Sequence, residues 1–172
     1  ISNINEIKSF TGSFSNIHSS RLEFLEAVAS EVDVQIWGPY HSNLNKYPNI
    51  YKSWMGEAWG KEMYEIIARS KITLNHHGAI MPYANNFRLY ESTGLGALLI
   101  TDNLPGLSDK FEIGKEILVY TNAQNCIGQI KKYLKEDEQR EIISINGQRR
   151  TKTSHNYLHI MQELTEIVSN QL

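Results

Sequence analysis

Short apolar runs alternate with segments of helical period along this chain, and that order restricts its fold more than any other feature. Lys8 to Phe14 is apolar enough for a strand and ends in the turn-prone TGSFSN. RLEFLEAVAS follows, in which Leu22, Leu25 and Val28 recur at helical spacing. VDVQIWG alternates Val32, Val34 and Ile36 as a second strand, which Gly38-Pro39 ends. The stretch from about Tyr40 to Gly60 is polar and aromatic-rich and reads as a loop. Connections in compact domains usually run ~4 to 6 residues, and much longer ones tend to carry function. Beyond it, KEMYEIIARS reads as a helix through Met63, Ile66 and Ile67, and KITLNHHG as a strand opening into polar residues. Asn86 to Thr93 is another helix, ALLITD and EILVYT are two more strands, and Ile127, Ile130 and Leu134 mark a further helix. Leu158, Met161, Leu164 and Ile167 mark a terminal one.

Strands that are apolar runs rather than clean alternations indicate a parallel sheet covered on both faces. The expected fold is α/β: a Rossmann-like, doubly wound, mainly parallel sheet in three α/β/α layers, a single domain with C-terminal helices. With 172 residues the chain has room for one full core, burying close to ~70% of its unfolded surface, so residues 1–172 are expected to form one domain.

Charge removes several classes of partner. Seventeen Lys and Arg against nineteen Asp and Glu leave a formal charge of −2, so there is no electrostatic footprint for nucleic acid or an anionic membrane. No stretch approaches the ~18 apolar residues of a transmembrane helix, and ISNINEIKSF lacks the basic and apolar regions of a signal peptide. The only cysteine, Cys126, excludes an internal disulfide and a cysteine-based zinc site and fits a reducing compartment, which makes the cytoplasm the expected location. The first residue is Ile1 rather than Met, which suggests a piece of a longer protein.

Open α/β sheets bind ligands outside the carboxyl ends of their strands, beside helix N-termini. Polar residues collect there in this sequence. The first strand ends in Thr11-Gly12-Ser13, the third in Asn75-His76-His77-Gly78, and Arg88 and Glu91 lie on the helix that follows. There is neither a GxGxxG fingerprint of the dehydrogenase kind nor a Walker A lysine motif.

From about Ser9 to its end the chain resembles the C-terminal, donor-binding domain of GT-B fold glycosyltransferases. The likeness is to the retaining, nucleotide-sugar-dependent group 1 enzymes that include spore-maturation-type glycosyltransferases. Ordered landmarks carry it: FTGSFS, HSSRLEFLEAV, VQIWGP, ARSKITLNHHG, NNFRLYESTGLGALLITDN, FEIGKEILVY and INGQRRTKTSHNY. The resemblance implies a nucleoside diphosphate sugar as donor, an N-terminal domain supplying the acceptor side, and no bound metal or other cofactor.

In such enzymes the acidic residue before the small, glycine-rich turn accepts hydrogen bonds from the donor's ribose hydroxyls, and Glu91 occupies that position. An ionised carboxylate is acceptor-only and can take both vicinal hydroxyls at once. The bland alternative is that Arg88 and Glu91, three residues apart on a helix, form a surface pair worth roughly 0.2 to 0.5 kcal/mol. Arg88 otherwise suits a phosphate through its planar fork. The related pattern often has a second glutamate eight residues earlier, where this chain has Tyr83; Ala84, Asn85, Asn86 and Phe87, through backbone amides or Asn side chains, are then the expected neighbours of the diphosphate or sugar. Gly12 and Ser13 offer backbone to a diphosphate or to an acceptor, Arg21 stands where relatives often place a basic residue facing the phosphates, and Asn75 or His76 is expected to line the cleft.

Adjacent histidines on an extended segment point to opposite sides, which argues against His76 and His77 chelating one ion. Gly94 is expected to be the left-handed cap of its helix, with Gly96 easing the turn into the next strand. Two other classes compete with the transferase. One is a non-catalytic nucleotide- or carbohydrate-binding module of the same fold, suggested by Tyr83. The other is a flavodoxin-like signalling domain, which needs an acidic cluster that TGSFSN does not offer.

Overall fold

The computed structural model describes residues 21–40, 42–77 and 82–170. The expected first strand, with Gly12 and Ser13, lies outside the described residues.

The chain is helical over 21–31 (α1). Then come β1 (Ile36–Trp37), a 3-10 helix (Ser42–Lys46), α2 (Pro48–Ser53), β2 (Trp54–Gly56) and α3 (Gly60–Arg69). The second half is β3 (Ile72–Asn75), α4 (Phe87–Gly94), β4 (Leu98–Asp102), β5 (Leu118–Tyr120), α5 (Ala123–Tyr133), α6 (Asp137–Ser154) and α7 (Tyr157–Ser169). Among the described residues all strand pairings are parallel: β1 with β2 as one ribbon, and β3-β4-β5 as a three-stranded sheet.

Leu98, Leu99 and Ile100 are fully buried, and successive side chains serve opposite faces of the sheet. Leu98 and Ile100 pack with Val28 of α1, Cys126, Ile127 and Ile130 of α5 and Ile143 of α6. Leu99 packs on the other side with Leu89 of α4, Leu107, Phe111 and Ile117. These three layers are the expected Rossmann-like architecture. The unbroken apolar run of β4 is a consequence of covering both faces.

Two expectations are corrected. Among the described residues the second strand pairs only at Ile36–Trp37, and the supposed loop from Tyr40 to Gly60 contains the 3-10 helix, α2 and β2. Pro48 opens α2 at a position where its missing N–H costs nothing. The cap is supplied from a distant helix: the Glu26 carboxylate accepts from the backbone N–H groups of Asn49 (3.1 Å) and Ile50 (2.9 Å) and from the Asn49 side chain (2.7 Å). Ile50 is buried, and the indole of Trp54 donates to the Gly38 carbonyl at 2.8 Å. Contacts 16 to 24 residues apart in sequence, rather than local periodicity, thus order this segment.

Gly96, not Gly94, is the left-handed residue that ends α4, with φ of +88°. Its N–H donates to Thr93 and that of Ala97 to Ser92, the two bonds of a Schellman motif. Gly94 is helical and lies against α6, where Thr93 and Thr151 share a buried hydroxyl contact of 2.6 Å. None of the residues of α7 is buried. Among the described residues no helix is long and apolar enough to cross a membrane.

Candidate functional site

The parallel register places Asn75 beside Thr101, so β3 and β4 end side by side in polar residues. Asn75 and Thr101 are buried, and a connected set of side chains spans this carboxyl edge. The Asn75 Nδ2 group donates to Thr101 Oγ1 (3.0 Å) and to Asn86 Oδ1 (3.3 Å), and Asn86 Nδ2 donates back to Asn75 Oδ1 (2.9 Å). The Thr101 hydroxyl donates to Asp102 Oδ1 at 3.0 Å. Asp102 also takes the backbone N–H of His77 (3.0 Å) and its Nδ1 (2.6 Å).

Burial works to raise the carboxyl pKa of Asp102, but the ring and backbone of His77, with the Thr101 hydroxyl, outweigh it. The group is held below its ordinary range and is ionised at neutral pH. An ionised carboxylate only accepts, so Nδ1 of His77 is the donor in this contact. The His77 side chain is fully buried, and its Nε2 has no partner among the described residues.

His76 stacks on Phe24 with centroids 5.4 Å apart, and Phe24 stacks on Tyr120 at 4.7 Å. The Tyr120 hydroxyl donates to the Asn75 carbonyl (3.0 Å) and lies 2.9 Å from His76 Nδ1. One hydroxyl carries one proton, so His76 Nδ1 is the donor in the second contact. Burial lowers the His76 pKa; the charge of Asp102 opposes this, and those of Arg21 and His77 add to it. His76 is therefore neutral at neutral pH, with its lone pair on Nε2. Burial chiefly, and the Asp102 charge next, push the Tyr120 phenol far above its ordinary value, so it stays protonated.

Asn86 caps α4 by position, yet its side chain accepts none of the N–H groups of that helix, whereas Asn122 and Asn156 do so for α5 and α7. On α4, Phe87 is exposed, and Arg88 Nη1 lies 3.4 Å from Glu91 Oε2. Arg88 Nη2 also lies 3.6 Å from the Met63 sulfur of α3. The Arg88–Glu91 pair left open by the sequence therefore forms.

The structure brings Asn75, His76 and Asn86 into one network, with Arg21 near enough for its charge to act on His76 and Tyr120. Phe87, Arg88 and Glu91 follow on the helix that Asn86 begins. Both histidine rings turn their Nδ1 atoms toward Asp102, at 3.9 and 2.6 Å, rather than to opposite sides, because the chain has left extended pairing after Asn75. Sequence reasoning missed Thr101, Asp102, His77 as an Asp102 partner, and Tyr120. The available signal was that ALLITD ends in two polar residues at a strand's carboxyl end. Their partners required the register.

The fold is of the doubly wound α/β class, and the polar network lies at the carboxyl edge of its sheet, where open sheets of this class bind ligands. The chain belongs to the glycosyl transferase-like family, matching it over residues 21–166. No curated protein matches its sequence. Among solved structures it is similar to Anabaena HepE in complex with UDP (TM-score 0.68, 15% identity, covering 86% of this chain and 44% of that one). HepE with UDP and glucose matches similarly (TM-score 0.69, 14% identity, 86% and 44%). So does sucrose-phosphate synthase from Thermosynechococcus elongatus (TM-score 0.67, 14% identity, 87% and 42%). The chain thus spans less than half the length of these proteins.

Proposed function

We propose that this chain is the donor-binding half of a cytoplasmic glycosyltransferase that moves a sugar from a nucleoside diphosphate sugar to an acceptor. The observation that carries the reading is the placement of α4. In a chain of the glycosyl transferase-like family, the helix bearing Arg88 and Glu91 starts at the carboxyl edge of β3 and β4, beside Asn75 and His76. HepE, similar in fold, was solved with UDP.

In this reading Glu91 accepts the ribose hydroxyls, and Arg88 leaves Glu91 to meet the diphosphate with Arg21. The neutral His76 faces the donor through its Nε2 lone pair, with Phe87 beside it. Gly12 and Ser13 add backbone to the diphosphate. Preorganised N–H groups and cations that stabilise the departing diphosphate lower the transfer barrier, and fixed orientation of the anomeric carbon lowers it further. No metal is part of the scheme. The acceptor and the remaining catalytic groups come from a further domain. A second reading, a binding module without transfer activity, is favoured by Tyr83, which stands exposed where the related pattern has an acid.

A thermal-shift series with UDP, GDP, ADP and dTDP tests the first step. A ligand at a hundredfold excess over Kd stabilises by about 2.7 kcal/mol; no shift with any of the four defeats the transferase reading and the nucleotide-binding form of the module. Hydrolysis of the donor sugar by the two-domain protein separates the transferase from the module.

A further inference from the structure

Asp102 stands outside the residues assigned to the donor above, yet the direction of every hydrogen bond between β4 and the start of α4 is set by it. Its carboxylate can only accept. The single hydroxyl proton of Thr101 is therefore committed to Asp102 Oδ1 (3.0 Å), which leaves the Thr101 lone pairs to face an N–H. That N–H is supplied by Asn75 Nδ2 (3.0 Å), so the Asn75 amide is held in one of its two flips. With its orientation fixed, Asn75 presents Oδ1 to Asn86 Nδ2 (2.9 Å) and its second N–H to Asn86 Oδ1 (3.3 Å). Asn86 is thereby matched at both ends of its amide.

The consequence appears at the first turn of α4. An N-cap asparagine ordinarily turns its oxygen onto an N–H of its own helix, as Asn122 does toward Asn125 and Asn156 toward His159. Asn86 does not, because Oδ1 is engaged by Asn75. The same carboxylate fixes the start of the β3–α4 connection through the backbone and ring of His77 (3.0 and 2.6 Å). Asp102 thus holds both ends of the passage from β3 into the helix that carries Arg88 and Glu91.

We propose that Asp102 is a positioning residue for donor binding: through Thr101 and Asn75 it locks the side chain of Asn86 and so sets the presentation of α4 to the nucleotide. The inference rests on the donor-binding reading above. Asp102 touches no ligand atom directly, and its action on the first turn of α4 is transmitted through Asn86, whereas its bonds to His77 hold the other end of the connection. Once the Asn86 amide is gone, the charge at position 102 no longer orients that first turn.

A double-substitution cycle on the full chain tests this, with UDP titrated by calorimetry. Asp102→Asn keeps the side-chain shape but replaces one acceptor oxygen by an NH2 group among donors, so position 102 no longer fixes the direction of the bonds. The expected result is a loss of UDP affinity of about tenfold in the otherwise unaltered chain. In an Asn86→Ala background the same substitution costs less than about twofold. Thr101→Val cuts the path between Asp102 and Asn75 while leaving the His77 contacts, and is expected to give the same pattern; it serves as the test if Asp102→Asn fails to fold. Equal losses in the two backgrounds, or unaltered UDP affinity in the single variants, overturn the positioning role and leave the donor reading standing. Failure of the unaltered chain to bind UDP, GDP, ADP or dTDP overturns both.

Discussion

Arg88 and Glu91 face each other across one turn of α4, Nη1 to Oε2 at 3.4 Å, with both side chains partly open to solvent. Such a pair is worth only a few tenths of a kcal/mol to the fold, so its removal leaves stability nearly unchanged. A carboxylate that accepts ribose hydroxyls contributes about 1.5 to 3 kcal/mol to binding. Glu91→Ala is therefore expected to shift Tm by about a degree or less and to weaken nucleoside diphosphate binding by roughly ten- to a hundredfold. Calorimetric titration and a melting curve on the same sample check it. A Kd within about twofold of the unaltered protein removes Glu91 from the site.

The seam between α4 and α6 has the opposite character. Thr93 donates its hydroxyl proton to the Leu89 carbonyl at 2.6 Å, so Thr151 must be the donor in the 2.6 Å contact between the two hydroxyls. Thr151→Val removes that donor and leaves Thr93 with its bond to Leu89, an expected cost of about 1 kcal/mol. Thr93→Val also strands the buried Thr151 hydroxyl and is expected to cost about 2 kcal/mol or more. Urea unfolding of the two variants decides the order. A larger loss for Thr151→Val reverses the assigned direction of the bond.

The uneven legibility of the chain follows from where its order originates. β4 could be read from sequence because Leu98, Leu99 and Ile100 are buried on both faces, and burial on both faces writes an apolar run. α4 could be read within a residue at each end, and Glu91 and Arg88 with it. The segment from Tyr40 to Gly60 could not, because its helix is capped by Glu26 and its strand pairs with a two-residue partner, neither of which leaves a local period. The site divided in the same way. Polar residues at the ends of strands pointed to the edge where the side-chain network lies, whereas Asp102 owes its place in that network to register with β3 and to the ring of His77. Gly94 and Gly96 were exchanged because both stand at a helix end, and only the backbone angle shows which is left-handed.

Two glycines of the α4–α6 seam give substitutions with opposite signs. A Cβ at Gly147 of α6 would overlap the carbonyl oxygen of Glu116, a backbone atom that cannot swing aside. Gly147→Ala is expected to cost about 3 kcal/mol or more. A Cβ at Gly94 meets only Thr151 Cγ2 at 3.4 Å, an ordinary contact, in a helical conformation that favours alanine. Gly94→Ala is expected to be neutral or to stabilise by up to about 1 kcal/mol. Chemical denaturation of both variants gives the comparison, and a destabilised Gly94→Ala would show that α4 and α6 sit closer than described.

Acidification should destabilise the fold through the same polar edge, in two separate windows. His76 faces Tyr120, Asp102, His77 and Arg21, and its pKa is lowered, chiefly by burial. The unfolded chain thus takes up this proton first, and the stability held by neutral His76 is lost as pH falls below about 6.5 toward the lower folded value. Asp102 is also lowered, because its bonds from His77 and Thr101 outweigh the effect of burial. Its contribution is complete above about 3.9 and is lost as pH falls through the lower folded value. Tm is therefore expected to decline between pH 7 and pH 5, and again below pH 4. His76→Gln should flatten the first decline and leave the second, while Asp102→Asn should flatten the second. Melting curves across this range test the assignment, and a first decline of equal slope in His76→Gln would move it to another group.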